Sequence, residues 1–142
     1  MNLLYIKMLN TAIKRELNRG MAEYGMTYAQ ASVLGLLYEL QSENVCQKDV
    51  EFHLGLSHPT VSSILLRLEE KGLIAAEQLP SDRRFKRLVP TRKALSLRHR
   101  IGASVSAIRT TLFCGLPDNE IEALNKVITR MLKNLNAWPD QS

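Results

Sequence analysis

Between Ser57 and Thr91 the chain carries a two-faced helix, then two short strands around an arginine-rich turn. Local chemistry sets almost every boundary in this segment, so it limits the fold more than any other stretch. Ser57 or His58 opens the helix, and Pro59 falls in the first turn, where its missing amide hydrogen costs nothing. Val61, Ile64, Leu65 and Leu68 recur at i, i+3, i+4 and i+7 and must face a core. Thr60, Ser63 and Arg67 then lie on the opposite side, with Ser62 beside them. Gly72 ends the helix. Leu73 to Leu79 and Phe85 to Val89 are predicted strands, with the turn at Pro80 to Arg84 between them.

Around this segment the pattern is helical. Ile6, Leu9, Ile13 and Leu17 form a stripe at spacings of three and four, predicting an N-terminal helix that stops near Gly20 to Gly25. Within two residues of Met1 the apolar run of Leu3, Leu4, Ile6 and Leu9 begins, so no disordered leader is expected. Thr27 begins a second helix through a capping box: its hydroxyl accepts the Gln30 amide while the Gln30 side chain accepts the Thr27 amide. Leu34, Leu37 and Tyr38 supply that helix's apolar face. A short third helix, about Gln47 to Leu54, closes at Gly55. Two long helices, roughly Thr91 to Phe113 and Asp118 to Asn136, finish the chain.

Those last helices carry heptad-like seams. Ile101, Val105, Ile108 and Leu112 recur at spacings of four, three and four; Ile121, Leu124, Ile128, Met131 and Leu135 at three, four, three and four. With Ile6, Leu9 and Ile13 they leave three helices outside the central segment, each needing cover for an apolar edge. Intramolecular packing is one solution. A two-fold homodimer is the expected one, since that is the commonest oligomeric arrangement. Its interface would use Ile6, Leu9, Ile13, Ile108, Leu112, Ile121, Leu124, Ile128, Met131 and Leu135.

Charge points to the partner. The chain nets +5, yet Asp82 to Arg100 alone holds eight basic residues against one acid, a local +7. A basic stripe on a near-neutral body is the footprint of a polyanion binder. The major groove of B-DNA accepts one helix and leaves phosphates and minor groove within reach of a basic hairpin. Double-stranded DNA is therefore the expected partner. Ser57, His58, Pro59, Thr60, Ser62 and Ser63 suit base edges, and Gln47 and Arg67 flank them. Arg83 and Arg84 suit the minor groove. Lys86 and Arg87 should alternate, one toward phosphate and one toward the body. Asp82 should hold an arginine through a salt bridge.

The order of elements and several short motifs resemble the MarR family of winged helix-turn-helix transcriptional regulators. Met26, Thr27, Gln30, Val33 and Leu34 are similar to that family's Leu-Thr-x-x-Gln-x-x-Val-Leu segment. Gly55-Leu56-Ser57 through Val61, Leu65, Arg67, Leu68, Glu69, Lys71, Gly72, Leu73 and Ile74 resembles its recognition helix and exit. Asp82, Arg84 and Thr91 resemble its wing signature. Pro90, Ala94, Ala76, Glu51 and Leu66 depart from the family pattern; Leu66 stands at a usually polar position and is expected to pack on a neighbouring element.

The resemblance implies a mainly α single domain over 1–142 with a two- to three-stranded β-wing. Residues 27–91 would form the winged helix-turn-helix lobe, with dimerisation helices at 1–25 and 92–138. It also implies a ligand-responsive repressor acting on a pseudo-palindromic operator. Its crevice between the two parts often takes small phenolic or other amphipathic effectors, and Met8, Ile13 and Tyr38 are candidates to line it.

Two other classes remain as alternatives. An enzyme would need a site built on His53, His58 or His99, but no His-x-x-x-His, Cys-x-x-Cys, nucleophile elbow or phosphate-cradling glycine loop occurs. A winged-helix module for protein assembly or architectural nucleic-acid binding would lack effector control. No cofactor or metal is expected. Cys46 and Cys114 are too few and too far apart for a disulfide framework, and no apolar run approaches the ~20 residues that cross a bilayer. A cytoplasmic protein with no membrane partner is the expectation.

Overall fold

The computed structural model describes residues 2–138; Met1 and the last four residues of the 1–142 span lie outside the described residues. Six helices and one antiparallel hairpin follow in order: α1 (Leu3–Ala22), α2 (Tyr28–Glu39), α3 (Gln47–Leu54), α4 (His58–Glu70), β1 (Ile74–Leu79), β2 (Asp82–Pro90), α5 (Arg92–Leu112) and α6 (Asp118–Asn134).

Local chemistry explains most of these boundaries. At the start of α2, Thr27 Oγ1 accepts the Gln30 amide at 3.2 Å and Gln30 Oε1 accepts the Thr27 amide at 3.3 Å, the predicted capping box. Gly55 closes α3 at φ 62°, in the left-handed region that favours glycine. The helix α1 runs through Gly20 and ends at Ala22, within the expected Gly20 to Gly25 window. A Cβ at Gly20 would come within 3.2 Å of Ile108 Cδ1, so its absence lets α5 pack closely on α1. Tyr24 fastens the same pair, its hydroxyl lying 3.0 Å from Ser104 Oγ and donating to the Arg100 carbonyl at 3.3 Å.

The core gathers Val33, Leu34 and Leu37 of α2, Val50 of α3, and Val61, Ile64, Leu65 and Leu68 of α4. Met21 closes it from α1, Leu73 and Ile74 from the hairpin side, and Ala94 and Ile101 from α5. Tyr38 is buried there and donates to the Ala94 carbonyl at 2.5 Å, with the Arg98 guanidinium 5.5 Å from its ring centroid. Burial pushes the Tyr38 phenol above its ordinary value, partly opposed by the positive charge of Arg98. It therefore stays protonated and remains a donor across the α2–α5 junction.

One expectation holds here and another changes. The hairpin is two-stranded; a third strand is reduced to one bond, from the Leu88 amide to the Val45 carbonyl at 2.7 Å. The second strand also starts earlier than predicted, at Asp82 rather than Phe85. Gln78 pairs with Lys86 but the next residue, Leu79, pairs with Asp82, so Arg83, Arg84 and Phe85 bulge out near the tip. A bulge re-aims side chains at a sheet edge, and alternation in the sequence does not reveal it.

The seam on α5 also divides. Ile101 is buried in the core and Val105 packs against it, so its first half is satisfied within the chain. Ile108 and Leu112 instead meet Leu9 and Ile13 of α1 around an apolar hollow of about 310 Å³. The helix α6 buries none of its residues. Leu124, Val127, Ile128, Met131 and Leu135 are exposed along it, Leu135 to 77%, and Leu3, Leu4, Tyr5, Ile6, Met8 and Leu9 are exposed on α1.

Candidate nucleic-acid interface

The helix α3, the tight turn at Gly55-Leu56 and α4 form a helix-turn-helix, with the hairpin beside it. Ser57 caps α4: its Oγ accepts the Thr60 amide at 3.4 Å and lies 2.8 Å from Thr60 Oγ1. His58, Pro59, Thr60, Ser63 and Arg67 are all exposed on α4. Arg67 pairs with Glu70 at 3.3 Å, an exposed i,i+3 contact of the kind that costs little to exchange for another anion.

Ser62 stands apart from this set. It is half-buried, and its Oγ accepts a hydrogen bond at 2.8 Å from Nε2 of Gln47, the first residue of α3. The same Nε2 donates to the His58 carbonyl at 3.4 Å and lies 3.1 Å from His58 Nδ1. Glu51 Oε2 lies 3.1 Å from that Nδ1 as well. Gln47, Glu51, His58 and Ser62 thus lock α3 to α4, so Gln47 and Ser62 serve the frame of the recognition surface more than its outer edge. Glu51, which departs from the family pattern in the sequence, has its explanation here.

On the wing, Arg83, Arg84 and Lys86 are exposed, and none of them makes a salt bridge among the described residues. Asp82 does not pair with a guanidinium as expected; its Oδ1 accepts the Arg84 amide at 3.0 Å, which shapes the bulged tip. Arg87 turns to the body, donating to the Gln41 carbonyl at 3.3 Å and lying 3.9 Å from Glu77. The basic stripe is accordingly not one patch. Lys93 donates to the Lys71 carbonyl at 2.8 Å, Arg98 covers Tyr38, and Arg100 pairs with Glu23 at 3.4 Å over the Tyr24 ring. Those three residues join α5 to the rest of the chain, while Arg83, Arg84 and Lys86 stay free of salt bridges among the described residues.

A cleft of about 530 Å³ joins the two halves of this surface, with His58 on one wall and Arg84 and Lys86 on the other. Lys48 and Phe85 also line it. Neither was foreseen: Lys48 lies outside the basic stripe, and Phe85 enters only because of the bulge. Leu66, expected to pack on a neighbour, is exposed instead.

Residues 24–84, from just after α1 through the wing tip, match the model of the MarR family. Over this segment the chain is similar to the MarR family. Its fold agrees with solved structures along nearly the whole chain. S. aureus MepR in complex with DNA superposes with a TM-score of 0.87 at 26% identity, over 95% of this chain and 96% of that one. CouR from Rhodococcus jostii RHA1, bound to p-coumaroyl-CoA, superposes with a TM-score of 0.82 at 27% identity, over 97% and 92%. The MarR-family regulator from Rhodococcus sp. RHA1 gives 0.80 at 26%, over 96% and 93%. The chain thus has the winged helix-turn-helix fold of these structures.

A second hollow lies between α2 and α5. It measures about 580 Å³ and is lined by Tyr28, Ser32, Tyr38, Glu39, Arg98 and Arg109 among others. Of the three residues suggested for an effector crevice, only Tyr38 lines it. Ile13 faces the α1–α5 hollow and Met8 a groove on α1. Among the described residues no helix is long and apolar enough to cross a membrane.

Proposed function

We propose that the protein is a transcriptional repressor that binds double-stranded DNA as a homodimer on a pseudo-palindromic operator and lets go when a small amphipathic molecule enters the α2–α5 crevice. The observation that carries this reading is the set of wing cations Arg83, Arg84 and Lys86, unpaired among the described residues, beside an α4 face free of core contacts. A helix N-terminus with exposed hydroxyls suits the major groove, and unneutralised guanidinium groups suit phosphate and the minor groove. Residues 27–91 act as the DNA-binding lobe, and 1–25 with 92–138 as dimerisation helices. The exposed apolar faces of α1 and α6 support the dimer, whose two α4 helices would address half-sites about 34 Å apart. The DNA-bound MepR and ligand-bound CouR structures support the two ends of the switch by similarity.

Genome-fragment capture with purified protein, followed by titration of a captured duplex at several salt concentrations, tests the reading. Affinity should fall linearly on a log–log plot with a slope of several units, as each neutralised phosphate releases counterions. A flat salt dependence would favour the protein-assembly alternative. Sedimentation of the free protein at micromolar concentration should give a dimer.

Neither cysteine supports a peroxide switch. Cys46 caps α3, its amide and thiol both donating to Asp49 Oδ2, at 2.8 and 3.2 Å, while Cys114 is exposed in the turn after α5. Cys46→Ser and Cys114→Ser should bind the captured duplex as wild type does, and mild peroxide should not release wild-type protein. Release that disappears in either variant would overturn this.

A further inference from the structure

The core meets α4 at Val61, Ile64, Leu65 and Leu68. With 3.6 residues per turn, the positions directly opposite are Pro59, Ser63, Leu66 and Glu70. All four are exposed, and Leu66, the one Leu, Ile or Val of α4 left in solvent, keeps 56% of its surface. A lone surface leucine means little in general. This one lies on the crest of the recognition helix, one turn beyond Ser63 and next to Arg67.

The crest from Pro59 to Leu66 offers no Arg, Lys, Asn or Gln, the side chains that read guanine or adenine through paired hydrogen bonds. It offers a proline ring, a hydroxyl and an isobutyl group. Pro59 and Leu66 stand seven residues apart, about 10 Å along the helix axis, so they address different base pairs. In the major groove the group complementary to an aliphatic side chain is the C5-methyl of thymine. An exocyclic amine of cytosine at that place would instead lose water without gaining a partner.

We infer that Leu66 is a specificity-determining residue that reads a thymine methyl in each operator half-site. The inference rests on the DNA-binding reading above and adds the class of base that this position selects.

The test uses the full chain and a duplex selected by wild-type protein from a random library. Copies of that duplex carry deoxyuridine in place of single thymidines, which removes only the methyl. Wild-type affinity should drop about fourfold at one thymidine position per half-site, the worth of burying one methyl-sized group. Leu66→Ala should bind the thymidine and deoxyuridine versions of that position equally, with unchanged salt slope and unchanged affinity for random duplex. Leu66→Met, which keeps an apolar side chain, should retain the discrimination. Discrimination persisting in Leu66→Ala would assign the methyl to another side chain and overturn the inference. Loss of all thymidine sensitivity in wild type, with steep salt-dependent binding intact, would overturn the inference alone. Failure of wild type to bind any duplex would overturn the DNA-binding reading as well.

Discussion

Ile128→Glu is expected to leave a folded protein that sediments as a monomer at micromolar concentration. Its affinity for a duplex with two half-sites should fall at least about a hundredfold. Within one protomer Ile128 is exposed and α6 buries nothing, so a glutamate there disturbs no internal packing. In a dimer seam with Leu124 and Met131 the same carboxylate would be taken out of water without a partner, a cost of several kcal/mol. Separating the two lobes removes the gain from linked binding, typically 10²–10⁴-fold. Affinity for a single half-site should barely change, which distinguishes a failure to dimerise from a failure to fold. A variant that stays dimeric with unaltered operator binding would move the interface away from this face of α6.

Arg84→Ala is the second large effect. Arg84 is exposed on the wing bulge, its backbone held by the Asp82 side chain and its charge unpaired among the described residues. A charge-assisted hydrogen bond to phosphate is worth roughly 1.5–3 kcal/mol, so affinity should drop about tenfold or more on every duplex, selected or scrambled. The plot of log affinity against log salt should become shallower by about one unit for each phosphate that the dimer no longer neutralises. Ser63→Ala should behave differently. If Ser63 bonds a base edge, its removal costs about 1–3 kcal/mol on the selected duplex and almost nothing on a scrambled one. Ser62→Ala is less clean, because Ser62 also accepts the Gln47 side chain that ties α3 to α4. An Arg84→Ala protein with unchanged affinity and salt slope would make the tip a solvated turn.

The MarR-type fold was legible wherever neighbouring residues decide the outcome. The capping box at Thr27 and Gln30, the proline in the first turn of α4, the left-handed Gly55 and the four-residue stripe from Val61 to Leu68 all act within a turn or two. Such short-range terms leave their mark in the order of residues, and the helix boundaries at Gln47 and Leu54 follow from them directly.

Other features depend on what arrives from a distance. Ile101 and Ile108 belong to one seam in the sequence, yet the core takes the first while the second meets α1. Periodicity records that a face is apolar, not which surface covers it. Eight basic residues read as one stripe, but Lys93, Arg98 and Arg100 are drawn toward Lys71, Tyr38 and Glu23. Ser62 and Ser63 are adjacent and chemically alike; Gln47, fifteen residues before Ser62, engages only one of them. The bulge at Arg83 to Phe85 depends on how Leu79 pairs across the hairpin. In each case the deciding energy comes from segments far apart in the chain that meet only once it has folded. Local patterning established the helices and the wing; long-range packing chose which of their side chains remained free.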